Sequence, residues 1–121
     1  MSRDEHLPLL TGAVLAALGL LLGAFGAHGL RTALSPEALG WWQTGVQYQM
    51  WHGIGLVAIG AARLPGARLP VWLLTLGTLI FSGSLYLLAL TGARWLGMVT
   101  PLGGVLLIAG WVCLSLKLLR R

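Results

Sequence analysis

Residues 7–27 run without a single charged side chain. As an α-helix, rising 1.5 Å per residue, that stretch is about 31 Å long, the thickness of a bilayer's hydrocarbon core. Three further apolar stretches follow, giving expected spans at about 7–28, 46–62, 70–90 and 98–116 in one transmembrane domain, 1–121. Composition makes the soluble alternative untenable. Charged residues are 9% of the chain and hydrophobic ones 57%, where a soluble domain carries roughly 25% charged. A fold of 121 residues has much surface for its volume, and a bilayer lets apolar side chains form that surface. The expected fold class is all-α, an integral membrane four-helix bundle with a short interfacial helix between the first and second spans.

Local signals place the boundaries. A cleaved signal peptide is disfavoured because Asp4 and Glu5 follow Arg3 at once and the first apolar run exceeds a signal's core. Pro8 sits near the start of that run, where a missing N–H costs little. Ser35-Pro36-Glu37 reads as a helix start, with Ser35 as N-cap, Pro36 in the first turn and an acid near the positive dipole end. Trp41 and Trp42 suit the headgroup level, so residues 36–45 are read as interfacial, either separate from the second span or continuous with it. Pro65-Gly66 breaks the chain between the second and third spans.

The net charge is +5, but Lys and Arg sit singly between apolar runs rather than along one face, which excludes nucleic acid as a partner. With four crossings, Arg3, Arg63, Arg68, Lys117, Arg120 and Arg121 fall on one side and Arg31 and Arg94 on the other. The positive-inside rule then predicts a multi-pass protein of the cell (inner) membrane with both termini cytoplasmic. Membrane lipids are the expected partners. Gly12, Ala16, Gly19, Gly23 and Ala27 form a small-residue stripe that serves either packing inside the bundle or a homo-oligomer contact. Cys113, the one cysteine, has no partner for a disulfide and belongs to no metal motif.

Four motifs stand in order along the chain: GAFGAHGL at 23–30, GVQYQMWH at 45–52, FSGSLY at 81–86 and TPLGG at 100–104. Together they resemble the small bacterial membrane proteins of domain-of-unknown-function family 423, over nearly the whole chain. The resemblance implies a four-helix membrane protein and carries over no catalytic residue.

Alternating crossings bring all four motifs to the outer half of the bundle. At about 100° per residue, Gly45, Tyr48, Gln49, His52, Gly55 and Ile59 share one face of the second span. Thr75, Thr78, Ser82, Tyr86 and Ala89 share a face of the third, while Ser84 points the other way with Gly77 and Leu88. Polar side chains in hydrocarbon turn inward for partners. The expected cluster is therefore His28, Tyr48, Gln49, His52, Ser82, Tyr86 and Thr100, either a hydrogen-bonded core or a site for a lipid or small ligand, with His52 as its leading member. No cofactor or metal is expected. The alternative is a metal- or haem-dependent membrane enzyme or redox subunit using His28 and His52, with Glu37 as a further ligand. No HxxxH or HxxE spacing supports it. Hydrolysis through Ser82 or Ser84 and His52 lacks an acid to orient the histidine.

Overall fold

The computed structural model describes residues 1–121. It consists of four α-helices, α1 (Arg3–His28), α2 (Pro36–Ala61), α3 (Arg68–Thr91) and α4 (Leu96–Leu119). The chain is an all-α helical assembly, and α1, α3 and α4 are each long and apolar enough to cross a membrane.

Capping decides where the first two helices begin. Ser2 and Glu5 form a capping box: the Glu5 N–H donates to Ser2 Oγ and the Ser2 N–H donates to Glu5 Oε2, each at 3.4 Å. That box starts α1 at Arg3, so Pro8 falls inside the helix rather than near its first turn. Pro8 has no N–H to give the carbonyl of Asp4, one turn back. In α2, Ser35 Oγ accepts from the Ala38 N–H at 3.1 Å and Pro36 opens the helix. Nothing from Pro36 to Ala61 interrupts it, so residues 36–45 are the opening turns of α2 and not a separate interfacial helix. Gly92, at φ 70°, ends α3 in the left-handed conformation that glycine adopts without strain.

The helices run up and down. Along α1 and α2, Gly12 faces Gly53, Gly19 faces Met50 and Gly26 faces Trp42, while Gly60 lies against Leu9. Gly45 meets Tyr86 between α2 and α3, and Gly77 meets Leu107 and Gly110 meets Leu74 between α3 and α4. Both termini therefore lie at one end of the molecule. Small residues set these approaches: a Cβ on Gly12 would collide with the Gly53 carbonyl, and one on Gly103 with the Phe81 backbone. The glycine stripe of α1 is thus spent on the seam with α2.

The cross-section is a row. Each helix packs on the one before it, α1 touches α3 at only a few points, and α1 and α4 do not meet. The inner helices hold the core, where Leu56 and Leu74 are fully buried with Leu15, Ile59, Val71, Leu107 and Leu114 around them. The outer helices turn Leu20, Leu21, Leu102 and Ile108 outward, a surface suited to lipid. Trp42 is buried against α1 instead of standing half-exposed, as a headgroup-level ring would. It is 3% exposed, its ring lies against Gly26, and its indole N–H donates to the Leu22 carbonyl at 2.9 Å. Burying the ring is feasible because α1 offers no side chain at Gly26 and a carbonyl one turn earlier.

Candidate functional site

Helical phase brings the polar residues of α2 and α3 face to face. Tyr86 lies against Gly45, where a β-carbon would come within 2.8 Å of its ring. There its hydroxyl donates to Gln49 Oε1 at 2.7 Å. Gln49 Nε2 in turn donates to the Leu15 carbonyl at 2.8 Å. Two hydrogen bonds therefore tie α3 to α2 and α2 to α1 through one glutamine that is 4% exposed. Ser82 Oγ donates to the Gly45 carbonyl at 2.7 Å, a second link between α2 and α3.

His52 faces the other way, toward α4. The Trp111 indole N–H donates to His52 Nε2 at 3.0 Å, and His52 Nδ1 lies 2.8 Å from the Tyr48 carbonyl. An indole only donates, so Nε2 is the acceptor and the proton sits on Nδ1, where the Tyr48 carbonyl receives it. The ring is held neutral, in one tautomer. Tyr48 itself is an aromatic filler, with its ring 4.3 Å from Phe81 and 6.2 Å from His52.

Ser84 and Thr100 form a separate contact. On the opposite face of α3, their hydroxyls hydrogen-bond across the seam with α4. His28 stands apart, exposed at the end of α1. Gly26, two residues before it, meets Trp42, ten residues along α2 from His52, a separation of about 15 Å in depth. His28 and His52 therefore do not face one another. Both His52 nitrogens are also engaged, so the residues do not fit a shared metal or haem. No group of three His, Cys, Asp or Glu side chains converges anywhere in the molecule.

The row layout leaves two gaps between next-nearest helices, and they are treated differently. On one face, the aromatic side chains of Trp111, Tyr48 and Phe81 fill the space between α2 and α4 around His52. On the other face, the gap between α1 and α3 stays open as a cleft of about 430 Å³. Leu15, Leu18, Leu21 and Leu22 form one wall and Leu79 and Gly83 the other. Gln49, Thr78, Ser82 and Tyr86 form its floor. A β-carbon on Gly83 would meet nothing within 4 Å. Every buried polar atom of the floor has a partner. Beyond those partners, Gln49 has a second N–H to give, and the Tyr86 and Ser82 oxygens retain lone pairs.

Trp111 and Leu15 are the members that sequence reasoning missed. Trp111 carries a recoverable signal, since an indole at the depth of a buried histidine on an otherwise apolar helix needs an acceptor. Leu15 contributes only a backbone carbonyl, for which a side-chain pattern holds no signal.

Residues 22–104 match the family described as protein of unknown function (DUF423). The UPF0382 membrane protein of Staphylococcus haemolyticus (strain JCSC1435) is 46% identical over 112 residues, covering 90% of this chain and 92% of that protein. YwdK, a UPF0382 membrane protein of Bacillus subtilis (strain 168), is 46% identical over 86% of this chain and 89% of its own. The UPF0382 inner membrane protein YgdD of Escherichia coli (strain K12) is 38% identical, over 93% of this chain and 88% of its own. No solved structure matches.

Proposed function

The chain belongs to the DUF423 family of membrane proteins, and we propose that it is a lipid-binding module whose cleft between α1 and α3 takes a hydrocarbon chain bearing a polar group. The carrying observation is the cleft itself, about 430 Å³ with aliphatic walls and a floor containing the Gln49–Tyr86 pair. Its volume lies in the range of small-molecule sites. Hydrocarbon is the solvent at that depth, so leucine walls suit an acyl or prenyl chain. A carbonyl or hydroxyl on the chain finds the Gln49 N–H and the Tyr86 and Ser82 lone pairs within the same floor. His52 and Thr100 act one layer away, holding α4 against α2 and α3, and His28 takes no part.

The topology belongs to the same reading. α2 is the fourth crossing although it is less apolar than its neighbours, because it lies between α1 and α3, where Gln49 bonds to both, and His52 finds its partner on α4. Six basic residues at the terminal end against two at the other support cytoplasmic termini. With the α1 glycines used inside the molecule, the reading needs no second copy.

Photo-crosslinking tests the cleft. A phospholipid with a photoactivatable acyl chain is incorporated into vesicles with the protein, and labelled peptides are mapped by mass spectrometry. Label is expected to concentrate on 18–22 and 79–86, and to fall several-fold in Gly83→Phe, which fills the cleft from a position with free space around it. Uniform label over all outward faces, unchanged by Gly83→Phe, would remove the proposal.

A further inference from the structure

A second cavity, of about 320 Å³, opens at the terminal end, where the start of α1 meets the α2–α3 loop. Two carboxylates, Asp4 and Glu5, stand in its α1 wall, and two guanidinium side chains, Arg63 and Arg68, come from the loop and the start of α3. Glu5 gives one oxygen to its own N-cap and keeps the other. Pro8 also lines the cavity beside them. Arg63 is held at φ 52°, a backbone conformation that side-chain-bearing residues seldom adopt. Asp4, Pro8 and Arg68 also border a smaller hollow that reaches the exposed Leu7 and Trp72. The cavity thus sits where the apolar helices begin, beside a hollow on their lipid-facing side.

We propose that this cavity binds a phosphoethanolamine unit, a phosphate joined through two carbons to a primary ammonium. Guanidinium groups bind phosphate oxygens through paired N–H donors, so Arg63 and Arg68 take the phosphate. A primary ammonium has three donors to place on the Asp4 and Glu5 carboxylates. A trimethylated ammonium has none, and a headgroup lacking a cation leaves the carboxylates facing nothing positive. The same unit occurs as the headgroup of a zwitterionic phospholipid and as a free metabolite. The hollow beside Leu7 and Trp72 gives acyl chains a way out to the bilayer. This site is independent of the cleft between α1 and α3 and shares no residue with it.

The test uses the full chain in vesicles of equal phosphatidylethanolamine, phosphatidylcholine and phosphatidylglycerol. Extraction in mild detergent and native mass spectrometry count the retained lipids. Phosphatidylethanolamine is expected to be enriched about tenfold over phosphatidylcholine, the effect of losing one charge-assisted hydrogen-bond set. Retention should decline stepwise along the mono-, di- and trimethylated series, a readout that needs no variant. In Asp4→Asn with Glu5→Gln the preference disappears. In Arg63→Gly with Arg68→Gln retention of all phospholipids falls, while glycine keeps the left-handed turn. Calorimetry with free phosphoethanolamine on delipidated protein assigns the source: binding there without lipid enrichment makes the ligand a soluble one. No enrichment and no calorimetric binding, or a preference that survives the Asp4/Glu5 pair, overturns the proposal.

Discussion

The indole N–H of Trp111 reaches Nε2 of His52 at 3.0 Å and forms the one side-chain hydrogen bond between α2 and α4. Those two helices otherwise lie apart in the row, so an edge helix is held to an inner one by a single polar contact. Hydrogen bonds of this kind in membrane bundles average about 0.6 kcal/mol and reach roughly 1.7. Trp111→Phe is expected to lower stability by about 1 kcal/mol, and His52→Ala by about 2 because packing against Tyr48 is lost too. A double-mutant cycle on unfolding in mixed micelles checks the pair. Additive losses would mean that the bond contributes nothing.

Gln49 has the larger structural role, since it accepts from Tyr86 and donates to Leu15. Gln49→Leu leaves the half-buried Tyr86 hydroxyl without its acceptor and should cost roughly 1–3 kcal/mol. Tyr86→Phe, which removes only the donor, should cost about 1 kcal/mol. Thermal unfolding in detergent should rank the two variants in that order.

The seam between α1 and α2 makes a sharper prediction. Gly12→Ala and Gly53→Ala place a methyl group against the facing backbone and are expected to cost about 1–3 kcal/mol through overpacking. Gly83→Ala, at a position with open space, should change stability by less than about 0.5 kcal/mol. Equal behaviour at Gly12 and Gly83 in the same unfolding assay would contradict the described packing.

Topology is tested with single cysteines in a Cys113→Ser background. Ser2→Cys, Gly66→Cys and Arg121→Cys should react with a membrane-impermeant maleimide only after the cytoplasmic face is opened. Thr32→Cys and Arg94→Cys should react in intact cells. A reversed pattern refutes the cytoplasmic assignment, and a split between Ser2 and Arg121 refutes the even number of crossings.

Much of this architecture is written in side-chain periodicity. The 3.6-residue recurrence of Gly45, Gln49, His52 and Ile59 marked the inward face of α2, and all four are buried. Phase also separated Ser84 from Ser82, and the two contact different helices. Ser35-Pro36-Glu37 gave the start of α2 because capping is a local matter. What periodicity does not encode is which neighbour a face meets. Trp42 reads as an exposed ring until Gly26 is known to lie opposite. His28 reads as part of the cluster because GAFGAHGL is one motif in sequence, yet the helix ends with its side chain outside. The cleft had no signal, since it arises from α1 and α3 standing apart across α2, a property of arrangement rather than of any residue.

That each helix docks on its predecessor bears on how the molecule is made. A chain delivered from its N-terminus presents α2, α3 and α4 each with the preceding helix already in place, and the closing interactions span one hairpin each. Such local contacts favour rapid assembly. An intermediate with two or three helices already has the seams between those helices closed. Gln49 of α2 has both of its partners as soon as α3 arrives, and His52 gains Trp111 when α4 follows.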